Sequence, residues 1–279
     1  MSLDAQEAAA LIAAVRRVAK SEITPRFRAL SGHEVDAKGA PDDLVTVADK
    51  ASEAALTAAV GDILPSARVV GEEAVAEDAR VLDRVGEPGQ TVVIDPIDGT
   101  WNYANGIATY GVILSVIEDG ETVFGLLYDP TGDDWVVARR GEGAWFERDG
   151  AAPVQLKASM PNGDLGGSFG FVGMYLYVKP GQALVDQTLP RFRRTVSLRC
   201  SCHEYRMIAQ GRSDFMLNGM LNVWDHAAGV LALHEAGGVS RLLDGRDYAP
   251  TMRTGFLLNA ATEPMWTRLA DLWAELDQA

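Results

Sequence analysis

The stretch that most limits how this chain can fold runs from Val92 to Phe146, where strand signals follow one another with few breaks. GVILSVIEDGETVFGLLYD is two β-rich runs about Asp119-Gly120, a dipeptide suited to a tight hairpin turn. DWVVARRGEGAWFERDG continues in the same style. Ahead of this block, Leu11, Ile12, Val15, Val18, Ala19 and Ile23 recur at helical spacing, which predicts an amphipathic helix within residues 3–30. A second helix is expected from about Thr46 to Ile63, stopped before Pro65, followed by a short strand at ARVVG. The glycine-rich polar segment SGHEVDAKGAPDD between the two helices reads as an exposed loop.

The second half alternates. The pattern predicts helices near 180–193, 203–210, 225–236 and from 264, with strands at 195–200, 213–217, 239–243 and 255–259. Strand runs and helices mixed in this way imply layered sheets and helices. With 279 residues, 47% of them hydrophobic, the chain can bury a sizeable core. No internal repeat or low-complexity linker divides it, so residues 1–279 read as a single domain whose softest boundary lies near 150–161.

A net charge of −14 argues against a nucleic-acid polymer as partner, since such partners need a basic stripe. It leaves room for a small phosphorylated substrate, because a bound cation reverses the local potential. Apolar stretches are interrupted well before 18 residues, so no membrane span is expected. Residues 1–30 lack the pattern of a secretory leader, and a cytoplasmic location is the expectation. Cys200 and Cys202, one residue apart, read as small buried residues rather than half of a metal site.

Five acidic residues fall at the ends of predicted elements: Asp49 in DLVTVADKASE, Glu72 in VVGEEA, Asp95 and Asp98 in VVIDPIDGT, and Asp225 in NVWDHAAGV. Singly, each has an ordinary reading as a solvated helix residue, strand terminus, turn former or helix cap. Together they suggest more. Asp95-Pro-Ile-Asp98 sets two carboxylates at a strand end and on the turn after it, where both can reach one cation. Hard divalent cations take oxygen ligands, and Mg²⁺ is held by a few carboxylates plus phosphate and water. Pro96 stiffens the turn, and Gly99 and Thr100 offer backbone N–H groups to a phosphate if a helix begins there.

VVIDPIDGTWNYANG is similar to the first signature of the inositol monophosphatase family, and VWDHAAGVLALHEAGG resembles its second. DLVTVAD and VVGEE match two shorter family segments in the expected order. The resemblance implies a layered α-β-α-β-α sandwich, usually a homodimer, that hydrolyses phosphate monoesters with two to three Mg²⁺ ions and is sensitive to Li⁺. It implies that Glu72, Asp95 and the Ile97 carbonyl bind a first cation, and that Asp95, Asp98 and Asp225 share a second. A third, weaker site would use Glu72. Asp49 and Thr100 would orient and help deprotonate the attacking water, with Gly99 and Thr100 N–H groups on the phosphate.

The departures concern substrate. Inositol phosphatases carry a glutamate seven residues before the last metal-binding aspartate, where this chain has Asn218. LRCSCHEYRMIAQGRSDF also differs from the Gly-Ser/Thr-Ala-Ala stretch of the inositol pocket. His203, Glu204 and Tyr205 either belong to a different pocket or simply begin a helix. Arg191, Arg193, Arg194, Arg199 and Arg206 form either a solvated helix end or an entrance for anions. His226 is expected in the core, at the surface or behind Asp225, and Trp101 at the rim. Substrates consistent with this reading are an inositol phosphate, histidinol phosphate or 3′-phosphoadenosine 5′-phosphate. The alternative from a different class is a non-catalytic relative that binds another protein.

Overall fold

The computed structural model describes residues 3–278, apart from 39, 41, 162, 175, 176 and 178. Helices α1 (Ala5–Val18) and α2 (Val47–Ile63) precede the first large sheet. Asp4 caps α1 through a capping box with Glu7, and Thr46 caps α2 through a second box with Asp49. Past α1 the helical path continues as one π turn at Ala19–Ile23 and one 3₁₀ turn at Thr24–Arg26, so the predicted helix ends before residue 30. The segment expected to be a plain loop holds β1 (Val35–Ala37), which pairs antiparallel with β2 (Leu44–Thr46).

The seven-stranded sheet comprises β3 (Arg68–Gly71), β4 (Gln90–Asp98), β5 (Gly111–Glu118), β6 (Glu121–Asp129), β7 (Asp134–Arg139), β8 (Gly143–Arg148) and β9 (Val154–Gln155), in that spatial order. β3 and β4 are parallel, and every later pair is antiparallel. At the β5–β6 hairpin Asp119 and Gly120 both take positive φ, 49° and 85°, as the turn requires.

Side chains alternate across this sheet and serve two cores. Val92, Ile94, Val112, Leu114, Phe124 and Leu126 face α1 and α2, where they meet Leu11, Val15, Leu56 and Val60. Ile113, Leu127 and Val136 face the opposite way, onto α6 (Ser201–Ala209) and α7 (Val223–Glu235). The backbone of α7 comes so close to β6 that a Cβ on Gly125 would lie 2.7 Å from the Ala228 carbonyl oxygen.

A five-stranded sheet lies beyond α6 and α7, in the order β11 (Arg194–Val196), β10 (Phe169–Val172), β12 (Phe215–Asn218), β14 (Leu257–Ala260), β13 (Val239–Leu242). Its outer face is covered by α5 (Lys179–Asp186) and α8 (Glu263–Trp273), with Trp266, Leu269 and Trp273 packed on Phe215 and Leu258. The layers are therefore α-β-α-β-α, as expected. The largest boundary shifts are here: the helix at 180–193 ends at Asp186 with a separate turn at Leu189–Arg191, and β11 stops at Val196. Residues 68–155 build the first sheet and 169–260 the second.

Candidate metal centre

In a regular strand, residues three apart point to opposite faces. Asp95 and Asp98 escape that rule through a bulge. Asp95 pairs with Ile113 and Asp98 with Gly111, so β4 carries one more residue than β5 between these two registers. The extra residue falls at Pro96-Ile97 and brings both carboxylates to one side. Asp225, in the first turn of α7, meets them there. Asp95, Asp98 and Asp225 each bring a carboxylate oxygen within 4.8 Å of the others.

Neighbouring groups fix each carboxylate. Asp95 Oδ1 accepts the Ile97 N–H at 3.1 Å. Asp98 Oδ2 accepts the Cys202 N–H and the Cys200 thiol, the latter at 3.1 Å. Asn222 Nδ2 donates to Asp225 Oδ2 at 3.0 Å. Glu72, the first residue of α3 (Glu72–Glu77), interacts with Asp95 and takes an ion pair from Lys38 at 2.8 Å. The same ammonium reaches Glu73 at 2.7 Å. No ion pair among the described residues engages Asp95, Asp98 or Asp225.

Burial raises all three. Desolvation pushes Asp98 up to about 7, with Asp225 adding repulsion, and pushes Asp225 up to about 6. Asp95 is held well above the usual carboxylate range by desolvation, then by Glu72 and Asp98. Such a cluster is costly as it stands and is stabilised by a bound cation. An all-oxygen donor set suits a hard divalent ion.

Beside the trio, Thr100 Oγ1 contacts both the Ile97 carbonyl at 2.9 Å and Asp49 Oδ1 at 3.2 Å. Asp49 is fully buried and accepts from Thr46 N–H and Oγ1 at 2.9 and 2.6 Å. Desolvation raises it to about 7. Gly99 starts α4 (Thr100–Ala104) with φ 85°, and a Cβ there would stand 3.0 Å from the Thr109 carbonyl. Gly99→Ala is thus expected to cost about 1–2 kcal/mol in urea unfolding, through the left-handed backbone and the contact together. An unchanged midpoint would show that the turn relaxes freely.

A cavity of about 100 Å³ adjoins Asp98 and Asp225, with Ser197, Arg199, Ser201 and Asn218 among its walls. Of the five arginines read as a cluster, Arg199 alone lines this cavity. Its guanidinium lies 4.6 Å over the Trp101 ring and pairs with Asp42 at 3.1 Å. Arg191, Arg193 and Arg194 are exposed, and Arg206 is buried against Asp134. Glu204 also lines the cavity. His203 instead meets the Tyr110 carbonyl at 3.0 Å, and Tyr205 packs beneath α7 with its hydroxyl 3.0 Å from His226 Nδ1. His226 is buried behind Asp225, its Nε2 2.7 Å from the Met220 carbonyl. Both cysteines are free and buried.

Comparison with known proteins follows the same lines. The pattern of the inositol monophosphatase family matches residues 4–276. The chain belongs to the inositol monophosphatase family. Among its relatives, an inositol-1-monophosphatase of Bacillus subtilis is 28% identical over 214 residues, covering 77% of this chain and 78% of that protein. A histidinol-phosphatase of Mycobacterium tuberculosis is 30% identical over 206 residues, 72% of this chain and 75% of the other. The Nus factor SuhB of Salmonella typhimurium is 30% identical over 272 residues and 94% of each chain. In fold, an IMPase of Thermotoga maritima superposes with a TM-score of 0.79 at 22% identity, covering 96% of both chains. Family membership and the layered fold are thereby shown, while relatives with three different names share this family at similar identity.

Proposed function

We propose that this chain hydrolyses a small phosphate monoester with the help of Mg²⁺, and that Asp95, Asp98, Asp225, Glu72 and the Ile97 carbonyl hold the ions. The observation that carries this reading is the convergence of three carboxylate oxygens within 4.8 Å from β4 and α7. Cations there would supply positive charge against the phosphoryl oxygens and lower the pKa of a nearby water.

The chain's own residues do the rest. Gly99 and Thr100 direct backbone N–H groups at the phosphate. Thr100 Oγ1, held between Asp49 and the Ile97 carbonyl, positions the attacking water, and Asp49 receives its proton. An aspartate raised to about 7 is a competent base near neutral pH. The water oxygen bonds to phosphorus as the ester P–O bond breaks, the departing alkoxide takes a proton from solvent water, and Asp49 releases its own proton to solvent. Asn218 meets the leaving group in the cavity. Inositol 1-phosphate, histidinol phosphate and adenosine bisphosphates form the first substrate panel, and a cytoplasmic homodimer is the proposed setting.

The test is phosphate release from p-nitrophenyl phosphate. Release is expected with Mg²⁺, lost in EDTA, restored by added Mg²⁺ and depressed by LiCl. Undiminished release in EDTA would contradict the metal role, whereas no release from any monoester counts against the enzyme reading and in favour of a protein-binding role.

A further inference from the structure

Among the described residues that line the cavity, Glu204 is a carboxyl to which the metal centre gives no task, and this inference rests on the phosphatase reading above. It lies in the first turn of α6, is only 6% exposed, and shares the cavity wall with Asp98, Asn218 and Asp225. Its Oε1 accepts the Leu198 N–H at 2.7 Å. Its Oε2 meets no donor among the described residues. A buried carboxyl with half its acceptor capacity unused is unfavourable, a deficit that a donor on the ligand removes.

The wall around Glu204 is short of positive charge. Asp98 and Asp225 are further carboxyls, and the proposed cations are matched to them rather than to Glu204. Arg199 is engaged by Asp42 at 3.1 Å. His226 is neutral at pH 7, lowered to about 4 by desolvation. The Nδ2 of Asn218 is sealed inside the protein, so the amide shows the cavity its acceptor, Oδ1. Desolvation, with added repulsion from Asp98 and Asp225, raises Glu204 to about 8, and a positive partner opposes both causes. A neutral hydroxyl brings Oε2 a hydrogen bond alone, whereas an ammonium brings the bond and the missing charge. The cavity of about 100 Å³ has room for a few heavy atoms, so the donor has to lie close to the ester oxygen.

We propose that Glu204, together with Asn218 Oδ1 in the same cavity, receives a cationic amine on the leaving group, so that the site favours phosphate monoesters of short amino alcohols over those of diols.

Two short probes isolate the difference: 2-aminoethyl phosphate and 2-hydroxyethyl phosphate share a two-carbon skeleton and differ in the far group alone. With Mg²⁺ present, kcat/KM is expected to favour the amine by about tenfold, the margin of a charge-assisted hydrogen bond over a neutral one. Glu204→Gln keeps an oxygen for the Leu198 N–H and removes the charge, and it is expected to bring the ratio to within about threefold of unity. Because each ratio is internal to one protein, a general loss of activity does not imitate the effect. Calorimetric titration of the phosphate-saturated protein reads the preference without turnover: ethanolamine is expected to bind more tightly than ethane-1,2-diol, and Glu204→Gln to remove the difference. A wild-type ratio at or below unity, or a ratio that Glu204→Gln leaves unmoved, overturns the proposal. So does cleavage of p-nitrophenyl phosphate with neither two-carbon ester accepted. Failure to cleave any of the three contradicts the phosphatase reading instead.

Discussion

Asp95→Asn is expected to reduce Mg²⁺-dependent phosphate release on the order of 10³-fold while making the cation-free protein more stable. The two effects share one cause. Asp95 sits at the centre of the carboxylate cluster, raised by desolvation and by the charges of Glu72, Asp98 and Asp225. The amide keeps an oxygen for the Ile97 N–H but removes the negative charge that a cation needs.

The sign of the stability effect follows from the raised values. A carboxyl whose folded pKa exceeds its unfolded value favours the fold at low pH and loses that contribution as pH rises. For Asp98 and Asp225 the loss runs from about 4 to about 7, so at pH 8 in EDTA the full repulsion opposes folding. Removing one member of the cluster is expected to raise Tm in EDTA at pH 8 by a few degrees, equivalent to about 1–2 kcal/mol. Added Mg²⁺ is expected to raise the wild-type Tm and to leave the variant nearly unmoved. A variant that is less stable in EDTA, or equally stabilised by Mg²⁺, would show that Asp95 is a packing residue.

The second large effect lies at the opposite end of α6. Asp134 is buried and takes Arg206 Nη2 on Oδ1 and Arg148 Nη2 on Oδ2, the latter at 2.6 Å. Arg206, equally buried, also donates to the Leu127 and Asp134 carbonyls at 2.8 and 3.3 Å. This pair joins α6 to β6 and β7 through the middle of the sandwich. Asp134→Ala strands a guanidinium in the interior, at a cost of about 3–5 kcal/mol. The corresponding fall in Tm is on the order of 10 °C. Adding Arg206→Met to that variant removes the orphaned charge and is expected to recover part of the loss. If the single variant melts like wild type, Arg206 finds water or another acceptor and the buried pair is not a major support. If the double variant melts lowest of all, the packing of the Arg206 stem outweighs its charge.

Residue by residue, the sequence showed most where period and chemistry coincide. Alternation in β4 to β8 and the helical spacing in α1 foretold the layers, because each pattern buries one face only. Of the acidic residues read from the sequence, Asp95, Asp98 and Asp225 converge in the fold, and Glu72 lies beside Asp95. The bulge that makes this possible was hidden. Nothing local in Asp95-Pro-Ile-Asp98 distinguishes a strand followed by a turn from a strand with one surplus residue, since the difference lies in pairing with β5. The arginine run, open in the sequence between a solvated helix end and an anion entrance, divides for a similar reason. Spacing in the chain said nothing of direction, and Arg206 turns into the core while Arg199 stays with the cavity. Likewise the polar composition of residues 31–43 concealed a strand, because β1 is only three residues long and two of them are exposed. The unpaired amide of Asn218 could be found only with neighbours in place.

The central claim is tested most directly by growing crystals in Mn²⁺ and measuring anomalous diffraction at the manganese edge. The account predicts at least one strong anomalous peak among the carboxylate oxygens of Asp95, Asp98 and Asp225, absent from crystals of Asp95→Asn. Peaks confined to surface carboxylates, or a site that persists unchanged in the variant, would contradict it.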